Sequence, residues 1–227
     1  SKSFISGGDF SDFYLSMVRT GLKGPKGISA VLVKQGTKGL SFGKPEQKMG
    51  WKSQPTSEVM FVDCNVPASH LLGEEDEGFI YAMQGLDGGR LNIAAAALGG
   101  AQTSINRAKQ YMKERSAFGK KLRDFQGLQF KIADMEIALN SSRIFLREAA
   151  WKLDTGSSDS SIYCAMAKKF VTDNAFTVAN GALQLLGGYG YLADYGIEKI
   201  VRDLRVHQIL EGTNEIMQVM IARHFLS

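Results

Sequence analysis

The chain has 227 residues, 44% of them hydrophobic, and a formal net charge of +4 at pH 7, a balance that suits one large or two modest globular domains with a real core. Its basic residues are spread rather than massed, which argues against a nucleic-acid surface and leaves room for phosphate-bearing small molecules. No apolar run reaches the ~20 residues needed to insert across a membrane, and the separated His70, His207 and His224 lack the neighbouring acids or cysteines of a metal site.

Residues 1–70 read as a partial antiparallel β module. Strands are predicted over Phe13 to Arg19, Gly27 to Val33, Leu40 to Phe42 and Val59 to Cys64, separated by turn signals such as Gly24-Pro25-Lys26-Gly27. Beyond Pro67 the strand signals end, and residues 71–227 read as helical. A first helix is predicted over Asp87 to Arg115, with the small residues Ala94 to Gly100 allowing close packing. A second runs over Phe125 to Leu153, where Leu128, Ile132, Met135 and Leu139 mark one buried stripe. Ser160 or Ser161 caps a third helix that carries Met166 and Phe170 and ends toward Gly187-Gly188. Ile197 to His207 and Thr213 to Leu226 make the last two. Long helices with short connections imply an antiparallel bundle, so the fold class is α+β, with part of a β domain followed by a four-helix bundle.

The isolated Cys64 and Cys164, each among apolar neighbours, read as buried free thiols, which fits a reducing compartment. The chain opens at Ser1, directly into sequence of mid-domain character, and the expectation is a piece of a longer protein.

Several patches carry chemistry. Glu211 lies in the apolar, tight-turning stretch Ile209-Leu210-Glu211-Gly212-Thr213-Asn214-Glu215. An oily setting disfavours a charged carboxylate and makes it a better base, while Gly212 lets backbone approach a ligand. The same residues also suit a plain helix entrance, with Thr213 or Asn214 as the N-cap. Gln184-Leu185-Leu186-Gly187-Gly188 is either a glycine stop to a helix or a shelf of exposed backbone for a flat or anionic ligand. With no strand before Gly187-Gly188-Tyr189-Gly190 and no Lys-Ser or Lys-Thr after it, a Rossmann or Walker site is excluded. Arg115-Ser116-Ala117-Phe118-Gly119 is a surface turn or a pyrophosphate clamp. Asp87-Gly88-Gly89-Arg90 is a helix N-terminus with a dipole-favoured acid, or part of a binding path.

In this order the patches resemble the C-terminal part of an acyl-CoA dehydrogenase. The likeness covers the whole chain, from Phe4-Ile5-Ser6 through Arg115-x-x-Phe118-Gly119 and Gln184-x-x-Gly187-Gly188 to Glu211-Gly212-Thr213. It implies an FAD-dependent α,β-dehydrogenation in which Glu211 takes the α-proton of an acyl-CoA thioester. Phe4, Ile5 and Ser6 are then expected at the flavin. Arg115, Phe118, Phe125 and Gln126, with Gln184, Leu185, Leu186, Gly187 and Gly188, are expected at its adenine and pyrophosphate across a subunit interface. Thr213, Asn214 and Glu215 complete the cofactor contacts, and Asp87, Gly88, Gly89, Arg90, Gly212 and Arg223 line the acyl-CoA path.

The stretches Gly85 to Asn92 and Gly187 to Ile216 look most like members acting on isobutyryl-CoA in valine breakdown. The alternatives are a short-chain or 2-methyl-branched acyl-CoA substrate, or a non-catalytic assembly or binding protein on the same scaffold. By the same resemblance electrons pass to electron-transfer flavoprotein, the oligomer is a homotetramer and the compartment is the mitochondrial matrix. The family's N-terminal helical domain is not within these residues, and the 227 residues alone are expected to bind FAD poorly. Phe4 stands where many relatives carry tryptophan, Ala117 where threonine is common, and Phe125 where a polar residue often contacts the cofactor. Some relatives keep the base in the helix near Gly89, where a glycine cannot serve.

Overall fold

In chain order the strands β1 (Lys2–Ser6), β2 (Phe13–Arg19), β3 (Ile28–Lys34), β4 (Leu40–Phe42), β5 (Thr56–Phe61) and β6 (Leu71–Leu72) precede the long helix α1 (Gly78–Glu114). A two-strand hairpin, β7 (Ser116–Ala117) and β8 (Lys120–Lys121), leads to α2 (Gln126–Asp154), α3 (Ser160–Leu186), the single turn α4 (Gly188–Tyr191), α5 (Ile197–Arg205) and α6 (Asn214–Leu226). The computed structural model describes residues 1–227 and divides them into two units, Ser1–Gly85 and Leu86–Ser227.

The first unit holds two antiparallel three-stranded sheets, ordered β1-β5-β4 and β2-β3-β6. Alternation puts Tyr14 of β2 and Val33 of β3 inward, where they meet Val59 of β5 and the half-buried Ile5, Phe42 and Phe61. The Tyr14 and Phe42 rings sit 5.3 Å apart, centroid to centroid. The predicted strand Val59 to Cys64 is displaced toward the N-terminus, because the Val62 amide bonds the Gly39 carbonyl and Asp63 takes a positive φ of 48°, which turns the chain out of the sheet. Strand β6, unforeseen, pairs Leu71 and Leu72 with Val31 and Ala30; two residues carry no readable alternation.

Three long helices and α5 and α6 build the second unit. Antiparallel packing is recorded in the cross-helix pairs. Lys109 and Gln102 of α1 bond Glu136 and Arg143 of α2, and Ser142 of α2 bonds Asn174 of α3. Small residues at helical spacing, Ala94, Ala97, Ala101 and Ala108, are fully buried on α1 and admit close approach, with Ile105, Leu139 and Val171 filling the seam. Each of these larger side chains contributes about 2 kcal/mol of hydrophobic stabilisation.

Helix α1 begins well before the predicted Asp87. The glycines Gly85, Gly88 and Gly89 lower local helix propensity by about 1 kcal/mol each, and they masked a helix that runs unbroken through them. Neither Ser160 nor Ser161 caps α3: Asp159 takes the N-cap position, and its carboxylate is held by Lys152 at 2.8 Å and Ser157 at 2.6 Å. Ser161 instead donates to Asp87 at 3.1 Å.

Candidate active site

Glu211 and Gly212 sit in the link between α5 and α6 with consecutive positive φ values of 57° and 85°. The left-handed conformation is ordinary for Gly212 but costs about 1 kcal/mol or more at Glu211, so the surrounding structure must impose it. The result aims the Glu211 side chain at α1. A Cβ built on Gly89 would lie 3.0 Å from Glu211 Cδ and closer still to Oε2, so only a glycine at 89 leaves that space to the carboxylate. Glu211 is half-buried, not enclosed as its apolar neighbours implied.

Beneath this link lies Lys168, 0% exposed. Its ammonium donates to the Gly212 carbonyl and to Asn214 Oδ1, both at 2.8 Å. Burial pulls the Lys168 ammonium down to about 8, against the opposing pull of the Asp173 and Glu211 carboxylates. Asn214, itself buried, turns its amide to Thr172 Oγ1 at 3.0 Å and Asp173 Oδ1 at 2.7 Å. Gln208 also reaches Asp173 at 2.7 Å, and these bonds, with one from Lys169, hold the Asp173 carboxyl below its ordinary value in spite of burial. Thr213 N-caps α6, accepting from the Ile216 amide. The helix-entrance reading of this stretch therefore describes its local structure, with Thr213 as the cap.

Sequence reasoning missed Lys168, Thr172 and Asp173. A signal was present, since Lys168 falls at helical spacing from Cys164 and Thr172 on the buried face of α3.

A second locus forms where α3 ends. Gly187 has φ 58° and ψ −136°, a conformation effectively reserved for glycine, and a Cβ added at Gly187 or Gly188 would meet nothing within 4 Å. This bare shelf borders a cleft of about 460 Å³ lined by Tyr111, Arg115, Leu186, Gly188, Tyr189 and Leu192. A neighbouring groove of about 310 Å³ adds Gln184, Leu185 and Gly187. The Arg115 guanidinium lies 5.5 Å from the Tyr189 ring centre, and Tyr189 packs against Tyr111 and Tyr195. A cationic plane, clustered aromatic rings and open backbone are what a flat, phosphate-bearing cofactor needs.

Arg115 follows the last residue of α1 and leads into the β7–β8 hairpin, whose turn residues Phe118 and Gly119 have φ 50° and 83°. Phe118 is 95% exposed and meets Phe125 edge-on at 6.5 Å. Phe125 precedes α2, with the Lys120 ammonium 4.3 Å from its ring centre, and Gln126 is exposed on the first turn. In the first unit, Ile5 and Ser6 line a cleft of about 350 Å³ with Phe13, Tyr14 and Phe61. Phe4 is exposed there at φ 57°.

On α1, Arg90 is buried and its guanidinium pairs with Asp87 at 2.7 Å, leaving Nε without a protein partner. That pair occupies the very groups expected to line an acyl-CoA path. Gly88 faces open space, and Arg223 and Glu215 lie exposed on α6. Both cysteines are free; burial pushes the Cys164 thiol up to about 11, which makes it inert at neutral pH, while Cys64 is only half-buried. No three of the chain's His, Cys, Asp and Glu side chains are grouped for a metal ion, and no helix is long and apolar enough to cross a membrane.

Residues 1–64 match the middle domain of acyl-CoA dehydrogenases and residues 76–226 match their C-terminal domain. The chain belongs to the acyl-CoA dehydrogenase family. It is 53% identical over 226 residues to the mitochondrial isobutyryl-CoA dehydrogenase of Bos taurus, covering 100% of this chain and 54% of that protein. The fold matches butyryl-CoA dehydrogenase from Megasphaera elsdenii with a TM-score of 0.96 at 40% identity, over 100% of this chain and 59% of that one. It also matches PigA, solved with FAD and proline, with a TM-score of 0.95 at 29% identity, over 98% of this chain and 58% of that one. The chain thus spans about half the length of the curated relatives it matches.

Proposed function

We propose that this chain is the cofactor- and base-bearing part of an FAD-dependent acyl-CoA dehydrogenase that converts a short branched acyl-CoA, isobutyryl-CoA, to its 2-enoyl-CoA in valine catabolism. The observation that carries the reading is the Glu211 carboxylate, held by a strained backbone over Gly89. A base whose backbone is set in advance needs little reorganisation before it meets an α-proton. Glu211 takes that proton, and by the family resemblance its own backbone N–H would stabilise the enolate-like charge that develops on the thioester oxygen. When bound, FAD supplies the redox chemistry by accepting the β-hydrogen as hydride.

Each unit, taken by itself, offers residues that suit the cofactor. Arg115 would bind the pyrophosphate, and the Gly187-Gly188 shelf would let the cofactor lie close to backbone. Phe118, Phe125, Gln126 and Gln184 to Leu186 border the same region, and Phe4, Ile5 and Ser6 would meet the flavin. Thr213, Asn214 and Glu215 would complete the cofactor contacts, and Thr213 and Asn214 also order the link that carries Glu211. Asp87 to Arg90, Gly212 and Arg223 remain the acyl-CoA path, with Arg223 free to meet a CoA phosphate. The 53% identity to an isobutyryl-CoA dehydrogenase supports the branched substrate and the mitochondrial matrix.

Self-association has its own support. Phe130, Ile137, Ile144 and Trp151 follow one another at seven-residue spacing on α2 and are 59%, 68%, 69% and 60% exposed. Such a stripe suits helix packing against a second copy. The homotetramer, and electron-transfer flavoprotein as acceptor, follow the family resemblance.

Anaerobic titration of the full-length, FAD-loaded protein with isobutyryl-CoA tests the reading. Prompt loss of the flavin's visible absorbance is expected. Bleaching only with butyryl-CoA would keep the chemistry and move the substrate to the straight short-chain class; silence with every acyl-CoA would favour a non-catalytic scaffold.

A further inference from the structure

We infer that Lys168 is a positioning residue for the base: its ammonium, bonded to the Gly212 carbonyl and Asn214 Oδ1, holds the Glu211–Gly212 link in the conformation that places the carboxylate over Gly89. The inference rests on the reading of Glu211 as the base and adds a residue from the interior of α3, well before the motif at that helix's C-terminal end.

A buried ammonium is costly unless its donors are met. Lys168 is fully buried in α3, and both bonds go to residues flanking Thr213, the N-cap of α6. Binding the Gly212 carbonyl fixes the plane of the Gly212–Thr213 peptide, and binding Asn214 fixes the first residue of the helix that follows. Between these anchors and α5, Glu211 has no latitude to relax from φ 57°. Asn214 is locked in turn by Thr172 and Asp173 on the next turn of α3, so α3 grips the link through three consecutive polar contacts. The Asp173, Glu211 and Glu215 carboxylates favour the ammonium and offset part of its burial, while Arg90 opposes it. Without Lys168, the Gly212 carbonyl loses its donor, the buried Asn214 Oδ1 keeps only the longer bond from Thr172 at 3.4 Å, and the strained link relaxes into an ordinary turn.

The discriminating measurement follows proton abstraction without redox chemistry. Acetyl-CoA has α-hydrogens and no β-carbon hydrogen to lose, so in D2O the base breaks an α C–H bond, exchanges its proton with solvent and returns a deuteron. The full-length, FAD-loaded protein incubated with acetyl-CoA is expected to wash deuterium into the α position. Lys168→Met, which keeps the side chain's length, is expected to slow wash-in and isobutyryl-CoA kcat together by about 10- to 100-fold. Its FAD content and KM should stay within about threefold of wild type.

Wash-in at the wild-type rate in Lys168→Met, or a loss wholly accounted for by lost FAD, would overturn the tether. No wash-in and no flavin bleaching in the wild type would overturn the base reading and the tether with it. Bleaching in the wild type with normal Lys168→Met turnover would overturn the tether alone. Should Lys168→Met not fold, Thr172→Val decides: it keeps the volume and removes one bond that orients Asn214. A parallel fall of about threefold or more in kcat and wash-in at constant KM supports the tether, and unchanged rates overturn it.

Discussion

The Glu211 carboxylate stands in the space that a side chain at Gly89 would fill, with Cδ 3.0 Å from the Cβ position there. Gly89 lies inside α1, where alanine is favoured over glycine by about 1 kcal/mol. Helix stability therefore gives no reason for a glycine, and the nearby carboxylate does. Gly89→Ala is expected to leave the thermal midpoint equal or higher, because the flexible end of Glu211 moves aside easily, while kcat falls about tenfold or more at unchanged FAD content. Thermal unfolding and steady-state kinetics on one preparation check both halves.

Glu211→Gln keeps the shape and removes the carboxylate proposed as the base. FAD content is expected to match wild type, and flavin reduction by isobutyryl-CoA to fall by about 100- to 10,000-fold, the span a general base supplies. Stopped-flow absorbance reads the rate; reduction at the wild-type rate would sink the mechanism.

Lys168 gives stability a pH signature. Its ammonium titrates near 8 in the fold, below its ordinary 10.5. Below pH 8 both folded and unfolded chains hold the proton. Between about 8 and 10.5 the unfolded chain still binds it and the folded chain does not, so this group raises relative stability as pH climbs. The wild-type midpoint minus that of Lys168→Met is expected to increase across that window and to be flat below it. Differential scanning calorimetry at a series of pH values measures the difference, in which other titrating groups cancel.

Arg115→Lys retains the charge and loses the planar guanidinium that lies over Tyr189. FAD is expected to bind about tenfold more weakly, a change of ~1.4 kcal/mol, with flavin reduction nearly normal at saturating FAD. Equilibrium dialysis of the full-length protein gives the constant.

The paired substitutions Ile144→Asp and Trp151→Asp place charges in the exposed apolar stripe of α2. Sedimentation velocity is expected to show smaller species than wild type, with circular dichroism unchanged. A wild-type oligomer from the double variant would assign that stripe another role.

Much of the fold was legible in the residues. Strand β2 and the helices α2, α3 and α6 lay within a residue or so of their predicted bounds, because a strong period of 2 or 3.6 needs no partner to be read. The start of α1 and the strand β6 were not legible. Glycine-rich sequence lowers the local helix signal, and a two-residue strand exists only through its pairing with β3.

The sequence by itself determined the order of motifs, the place of Glu211 in an apolar glycine turn, and the glycines at 89, 187 and 188 with the arginine at 115. Tertiary structure alone decided what those residues face. Gly89 and Glu211 are far apart in the chain, and their meeting depends on α1 packing in the same bundle as the α5–α6 link. Whether Arg90 is free or paired, and that Lys168 within α3 bonds the Gly212 carbonyl and Asn214, depend on burial and hydrogen bonding across helices. Such long-range terms leave no periodic trace in the sequence, since each residue satisfies its local pattern equally well with or without the distant partner.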